Sequence, residues 1–538
     1  MNTGVENLTN TSTKSAVEYA QALFSNRYVI RFIVAMWITL TCNTVFYENL
    51  NENVLVSAGL LLFALNWLII SIFSVGRLFK PGLILLICIS ASVEYFSTRF
   101  GIMMDYGMLQ NVLETDVKEA ADLINFRLFF HFLVYAALPS ALVLFVPTPK
   151  STIKRRVLTY TGNFLLVLGL LGTLAFMHYQ TLSGYFRMNK EQRYYATPLN
   201  AISAIKSHVK MKLKPKATTF TQIASSVAFV PFSEKPTVFV LVLGETVRAD
   251  HFGLNGYERN TTPNLSKLPV YNFKDVSSCG TATAHSVPCM FSWMNKADYD
   301  EFTAKNSENV IDIVKRAGFD VIWRDNNSGC KGVCSRVKTE KLYEVVTCED
   351  GCPDELLLEG LPKLLEQKKN TLIVLHQQGS HGPAYFRRSQ QKHKTFLPEC
   401  EDETFATCSQ QEIINAYDNS LVETDAMLSS VIELLDKQKD VNTGLLYVSD
   451  HGESLGENGV YLHGLPYAFA PSSQTHIPML FWLSDNYQKD VKLDRTCLNE
   501  ITAKPTSHDA LFGSLLGLLS IDIKTEKQTT DLVTGCRG

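Results

Sequence analysis

Hydropathy divides the chain into two parts with different patterns. Five apolar stretches, at about 28–47, 54–75, 81–97, 128–146 and 157–179, each approach the roughly 20 residues that a helix needs to cross bilayer hydrocarbon. Charge is nearly absent inside them. The first starts late and a second follows almost at once, which argues against a cleaved export signal. The pattern predicts five transmembrane helices within residues 1–180. Residues 181–235 are polar and basic, with Lys206, Lys210, Lys212, Lys214 and Lys216 set among Leu199, Ile202, Ile205 and Val209. They predict a bridge, either an amphipathic helix on the membrane surface or a solvated linker helix. From residue 236 to 538, short aliphatic or β-branched runs alternate with amphipathic helical segments. The runs 237–243, 321–323, 372–376 and 445–448 read as buried parallel strands of an α/β/α sandwich.

Each run ends in a polar cluster, and open α/β sheets place their sites at those ends. The clusters are Gly244-Glu245-Thr246, Arg324-Asp325-Asn326-Asn327, Gln378-Gly379-Ser380-His381-Gly382 and Ser449-Asp450-His451-Gly452-Glu453. Four strands ending in four such clusters carry more weight than any one motif.

Charge then orients the anchor. Arg27, Arg31, Arg77, Lys80, Lys150, Lys154, Arg155 and Arg156 fall on one side of the membrane if the N-terminus is cytoplasmic. The alternate loops carry Glu48, Glu52, Asp105, Glu114, Asp116 and Glu119. Five spans deliver everything after residue 179 to the outer face. Lys plus Arg (50) and Asp plus Glu (53) nearly cancel, which gives no reason to expect nucleic-acid binding. Cysteine usage agrees with export. Cys42 and Cys88 lie within spans, and the other ten lie beyond residue 270. Nearest-neighbour pairing gives Cys279/Cys289, Cys330/Cys334, Cys348/Cys352, Cys400/Cys408 and Cys497/Cys536, a disulfide set suited to an oxidising compartment. A zinc knot of Cys330, Cys334, Cys348 and Cys352 is the competing reading.

Two carboxylates and an imidazole, Glu245 with Asp450 and His451, form a donor set suited to Zn²⁺. The segment from Cys279 to Cys289 is rich in hydroxyls and bracketed by cysteines. If Thr283 starts a helix, backbone N–H groups there favour a bound phosphate. A Thr hydroxyl is a poor nucleophile unless a metal lowers its pKa. Read alone, Thr281, Thr283 and Ser286 are equally suited to be helix caps.

These residues, in order, resemble the lipid A phosphoethanolamine transferases, which include the mobile colistin resistance enzymes and belong to the alkaline phosphatase superfamily. The resemblance runs through Gly244–Asp250 with Asn255-Gly256-Tyr257, the Cys279–Cys289 segment with Met290-Phe291-Ser292, Gly379–Pro383, Ser449–Gly456 and Leu462-His463-Gly464. It implies Thr283 as nucleophile and zinc ligand, together with Glu245, Asp450 and His451. It implies one tight zinc site and a weaker second one, with His381 and His463 around the phosphoryl group. Asn327 and Lys331 match positions that contact the phosphoethanolamine moiety. Asn111, Thr115 and Glu119, in the loop after the third span, resemble a membrane-proximal substrate motif; without the resemblance they are polar residues of a solvated helix.

The implied reaction has two displacements. Thr283, activated by zinc and Glu245, attacks phosphatidylethanolamine and releases diacylglycerol, and a phosphate of lipid A then takes the group from the phosphothreonine. The implied setting is a monomer in the inner membrane of a Gram-negative bacterium, among membrane lipids, with the catalytic domain in the periplasm. Rival readings are a phosphoglycerol transferase of the lipoteichoic acid synthase kind, transfer to another envelope glycan or a protein, and a sulfatase. The last lacks its Cys-x-Pro-x-Arg or Ser-x-Pro-x-Arg segment here.

Overall fold

The computed structural model describes residues 27–115, 117–146, 152–213, 219–342 and 352–537. Lys150, Lys214, Lys216, Asp116 and Cys348 lie outside the described residues, as do the side chains of Glu119, Arg155 and Arg156. Packing divides the chain into two units, one formed by residues up to 104 with 126–203, the other by 105–125 with 204–538.

In the first unit, four helices among the described residues are long and apolar enough to span a bilayer: Glu52–Phe73, Gly76–Phe100, Phe126–Phe145 and Tyr160–Met188. They coincide with the second to fifth predicted stretches. The first stretch is not among them. It forms Arg27–Thr41, 15 residues, then breaks at Asn43 before the short helix Thr44–Glu48. At the break, Asn43 Nδ2 donates to Ile38 O at 3.0 Å, which also accepts from Cys42 N–H, and Asn43 Oδ1 accepts from Thr197 N–H at 2.8 Å, so its amide ties the helix end to the backbone at Thr197. Phe126–Phe145 carries a wide turn at Leu133–Ala137 ahead of Pro139. Proline has no N–H for the carbonyl four residues back, and Trp37 donates to that carbonyl, Tyr135 O, at 3.4 Å. Buried polar groups are paired between helices: Arg31 with Ser74, Asn66 with Thr39, and Asn163 with Ser71.

The second unit is built on an eight-stranded sheet among the described residues. Its strands are β1 (Thr237–Gly244), β2 (Tyr271–Ser277), β3 (Asp320–Asp325), β4 (Lys338–Lys341), β5 (Thr371–His376), β6 (Asn442–Ser449), β7 (His476–Leu483) and β8 (Thr506–Ser507), in the order β8-β2-β7-β6-β1-β5-β3-β4. The four predicted strands are neighbours, β6-β1-β5-β3, all parallel. Their register is level: Gly244 faces Ser449, Leu243 faces His376, and His376 faces Asp325. The polar clusters therefore emerge at one edge.

The sheet is mixed rather than wholly parallel, because β7 runs antiparallel to both β6 and β2. Pro478 interrupts β7, and the pairing with β2 shifts register between Ile477 and Met479. Helices α1 (Tyr106–Glu114), α2 (Thr283–Met290) and α3 (Gln410–Asp436) matter for the site. Helix α3 opens with a reciprocal cap between Ser409 and Glu412 and is buried along most of its 27 residues.

Disulfides join Cys279–Cys289, Cys330–Cys334, Cys400–Cys408 and Cys497–Cys536. Cys352 is also disulfide-bonded. With Cys330 and Cys334 bonded to each other, the zinc-knot reading loses two of its four ligands. The bridge region contains the 14-residue helix Leu199–Lys212, on which Ile205 and Val209 are exposed.

Candidate active site

Strand β1 ends at Gly244, where a Cβ would meet the Tyr447 ring at 2.6–2.8 Å, so only glycine lets the chain pass. The backbone then turns through Glu245 and Thr246. The Thr246 N–H donates to Asp450 Oδ1 at 3.2 Å, and its carbonyl accepts from Tyr417 OH at 2.7 Å. From β5, Gly379 passes so close that a Cβ would lie 2.6 Å from Glu245 O, while Ser380 N–H donates to that oxygen at 3.0 Å. Glu245 is thus fixed by three strand ends at once.

Helix α2 begins at Thr283, one residue after Ala282, whose side chain cannot cap it. None of the three hydroxyls caps the helix. Thr281 Oγ donates to Leu465 O at 2.6 Å and Ser286 Oγ donates to Asp450 O at 2.5 Å. Thr283 Oγ lies 3.1 Å from both Glu245 carboxylate oxygens and 3.3 Å from His451 Nε2. The Thr283 hydroxyl is therefore turned to the carboxylate and imidazole rather than to the helix backbone.

Glu245, Asp450 and His451 are fully buried, and each offers a ligand atom within 4.8 Å of the others. His451 Nδ1 faces Gly452 O at 3.0 Å; a carbonyl only accepts, so Nδ1 carries the proton and Nε2 is turned to the cluster. Asp450 Oδ2 is buried with no hydrogen-bond partner among the described residues, His451 Nε2 lying 3.3 Å away, an arrangement that is costly unless a cation takes it up. The donor set and this orphaned oxygen fit Zn²⁺. The electrostatics of the bare protein agree. Burial alone would raise the Glu245 carboxyl, but the hydrogen bond and charge of His451, followed by His381 and His463, hold it well below the usual range. Burial, then the neighbouring Glu245 charge, push Asp450 upward. Burial works against protonation of His451, but Asp450 and Glu245 outweigh it and raise that group. Such a cluster attracts positive charge.

A second layer orients the histidines. The His463 ring lies 4.5 Å from that of His451 and 5.1 Å from that of His381. His463 Nδ1 meets Glu453 Oε2 at 2.8 Å, and Tyr385 OH donates to Glu453 Oε1 at 2.6 Å. Burial pushes Glu453 up to about 8, against the hydrogen bond from Tyr385. Arg388 Nε donates to His381 O at 2.8 Å.

Beyond β3, Asp325 templates a turn by accepting from Asn327 N–H at 2.9 Å and pairing with buried His376 at 3.1 Å. Asn327 Nδ2 then donates to Glu245 Oε2 and to Gln377 O, both at 2.8 Å. Lys331, in left-handed backbone at φ 50°, donates to Ser328 Oγ at 2.9 Å and to Glu114 O at 3.3 Å. Helix α1 is held here by Tyr106 and Gln110, which both donate to Glu301 at 2.9 Å. The helix Val117–Asp122 is clasped through Asp122 by Arg387 at 2.9 Å and Arg388 at 2.8 Å.

Comparison with known proteins decides the family. The family described as phosphoethanolamine transferase EptA/EptB matches residues 62–213, and the Sulfatase family matches 237–521. The phosphoethanolamine transferase EptA of Escherichia coli (strain K12) is 36% identical over 526 residues, covering 94% of this chain and 96% of that protein. The phosphatidylethanolamine transferase Mcr-1 of Escherichia coli is 37% identical over 538 residues, covering 94% and 97%. The solved integral membrane lipooligosaccharide phosphoethanolamine transferase A of Neisseria meningitidis aligns with a TM-score of 0.89 at 35% identity, over 94% of this chain and 98% of that one. The chain belongs to the EptA-type phosphoethanolamine transferases.

In this EptA-type chain the sequence-derived residues fall into three groups. Glu245, Thr283, Asp450 and His451 meet at one point, with His381, His463 and Asn327 around them. Lys331 reaches the end of α1, which carries Asn111 and is followed by Thr115; the Thr115 hydroxyl donates to Asn111 O at 2.7 Å. Glu119 lies in Val117–Asp122, its side chain outside the described residues. Sequence reasoning passed over Asp325, His376, Glu453, Glu301, Arg387 and Arg388. Glu453 stood within the Asp450–Glu453 motif, and Asp325 within a strand-end cluster. Glu301 and the arginine pair carried no local signal.

Proposed function

We propose that this protein transfers phosphoethanolamine from phosphatidylethanolamine to a phosphate group of lipid A through a covalent intermediate on Thr283, with zinc held by Glu245, Asp450, His451 and the Thr283 oxygen. The observation that carries the reading is the position of Thr283 Oγ, 3.1 Å from both Glu245 oxygens at the first residue of a helix. One relative is named a phosphatidylethanolamine transferase and another a lipooligosaccharide phosphoethanolamine transferase, which supports this donor and an acceptor of the lipid A class.

The chain's own groups then take definite roles. Glu245, kept ionised, accepts the Thr283 proton as the oxygen attacks phosphorus. The first N–H groups of α2 have no carbonyl within their own helix and face the incoming phosphoryl oxygens. Zinc, when bound, supplies Lewis-acid charge that lowers the hydroxyl pKa and offsets negative charge on those oxygens. His463, whose Nδ1 meets Glu453 Oε2, hands a proton from Nε2 to the departing diacylglycerol oxygen. In the second displacement a phosphate hydroxyl of lipid A attacks the phosphothreonine, the Thr283 oxygen leaves and takes back the proton held by Glu245, and the hydroxyl proton restores His463. His381 and Lys331 hold the donor headgroup, and Asn111, Thr115 and Glu119 help to seat its lipid. In an alternative arrangement, His381 and His463 would hold a weaker second zinc in place of these roles.

The wider assignment is a monomer in a Gram-negative inner membrane, with a five-span anchor over 1–180, a bridge at 181–235 and a periplasmic catalytic domain over 236–538. Adding an ammonium group beside a lipid phosphate lowers surface negative charge, so cationic peptides such as polymyxins and colistin bind it less. The test is mass spectrometry of lipid A from cells carrying the wild type or Thr283→Ala. The wild type should add phosphoethanolamine and Thr283→Ala should add at least about 100-fold less, the scale of losing a nucleophile. Transfer at the wild-type level in Thr283→Ala removes the assignment, and phosphoethanolamine found only on core sugars or protein removes the acceptor.

A further inference from the structure

The membrane unit contains a groove that shares no residue with the Thr283 site. On Glu52–Phe73, Ala58, Leu61, Leu62 and Leu65 recur at the spacing of one helical face, and with Phe46 and Phe186 they wall a cavity of about 340 Å³. At 1.5 Å per residue this stripe runs from about 9 to about 20 Å below the helix's first residue, the depth range of an acyl chain. The remaining wall is the turn after Ile153–Met188, with Lys190, Gln192 and Arg193. Tyr185 OH and Gln192 Nε2 both donate to Asn49 O, at 2.7 and 3.0 Å, which fixes this turn to the loop before Glu52. Two cations therefore stand beside an apolar wall: Lys190 and Arg193 are exposed, and Lys190 has no ion pair among the described residues. Gln192 supplies an independent sign of a ligand. It is only 2% exposed, yet its amide oxygen has no hydrogen-bond partner among the described residues.

We propose that this groove binds a phosphatidylethanolamine molecule of the surrounding bilayer. One acyl chain lies along the Ala58–Leu65 face, the phosphate meets Lys190 and Arg193, and the headgroup ammonium donates to the Gln192 oxygen. A choline headgroup has no N–H to offer that oxygen, so the site distinguishes the two lipids. The inference rests on the membrane assignment and not on the catalytic assignment of Thr283.

The test uses the full-length protein in phosphatidylcholine nanodiscs doped with a phosphatidylethanolamine probe that carries a diazirine in its acyl chain. After irradiation, label is mapped by peptide mass spectrometry. Label should concentrate on residues 58–65 and 186–196, at least fivefold above the span Phe126–Phe145, and should persist in Thr283→Ala. It should fall at least fivefold in Lys190→Ala/Arg193→Ala, whose side chains are exposed, and in Leu61→Trp, which fills the groove. A matched choline probe should label the site several-fold less, and Gln192→Leu should erase that difference. Even labelling of all spans, indifference to the Lys190/Arg193 change, equal labelling by the choline probe, or loss of label in Thr283→Ala would each overturn the proposal.

Discussion

Asn327 donates one amide hydrogen to Glu245 Oε2 and one to the Gln377 carbonyl, each at 2.8 Å, so its side chain holds the carboxylate that lies against Thr283 Oγ and belongs to the candidate metal group. A hydrogen bond to a charged group contributes about 1.5–3 kcal/mol, which corresponds to roughly a ten- to 150-fold rate effect where that charge is used in the transition state. Asn327→Ala should therefore lower kcat by about that factor, with zinc content unchanged and KM within about threefold. Zinc analysis beside steady-state kinetics checks it, and a change confined to KM would return Asn327 to substrate contact alone. At this scale the sequence was informative about donors and silent about their supports. Glu245, Asp450 and His451 were legible because they stand at the ends of β-rich runs, and Thr283 only through the family resemblance, since its hydroxyl-rich segment alone did not separate it from Thr281 and Ser286. The Asp325–His376 pair was not legible. It depends on the β5–β3 register, which places Asp325 opposite His376, and no local spacing encodes that.

Between elements, His508 joins the loop that leads into α2 to the end of β6. Its Nδ1 accepts from Cys279 N–H at 3.0 Å and its Nε2 donates to Ser449 O at 2.9 Å. Both bonds require the neutral ring. Burial depresses the group to about 3, against the hydrogen bond to Ser449 and with the neighbouring positive charges. The unfolded chain titrates near 6.5, so below that pH the unfolded state binds the extra proton. Stability is present above about pH 6.5 and is lost as pH falls toward 3. The slope is about 1.4 kcal/mol per pH unit for one such group, or roughly 2 kcal/mol between pH 6.5 and 5. Unfolding midpoints of the zinc-loaded protein from pH 7.5 to 5 should drop more steeply for wild type than for His508→Gln, and parallel curves would show that His508 is not responsible. The strand core was legible at this scale, since all four predicted runs became adjacent parallel strands. Strand β7 was not, because Pro478 sits inside an otherwise apolar run and argues locally against a ladder that continues past it through a register shift.

At the scale of the molecule, hydropathy located four helices of membrane-spanning length but carried no sign of which unit the loop between the third and fourth stretches packs with. Residues 105–125 look like a short extracytoplasmic connection, yet they pack as part of the outer unit. Three separate contacts bind them there: α1 to Glu301, the Glu114 carbonyl to Lys331, and Asp122 to Arg387 and Arg388. Long-range partners of this kind lie about 190–270 positions away and leave no trace in local patterning. A protein truncated to start at residue 219 therefore loses more than its anchor. It keeps Glu245, Thr283, Asp450 and His451 on their strand and helix ends, so it should bind zinc as the full chain does. It lacks the segment that meets Glu301, Lys331, Arg387 and Arg388, two of which, Arg388 and Lys331, stand within one or two contacts of His381 or the Asn327 turn. On lipid A vesicles at equal zinc occupancy the truncated protein should transfer at least about 100-fold more slowly, the order of loss expected when substrate positioning fails while the chemistry is intact. It should still turn over a water-soluble short-chain donor. Equal rates on vesicles would show that the membrane unit only tethers the enzyme, and that residues 105–125 contribute packing to the outer unit rather than a place for the lipid.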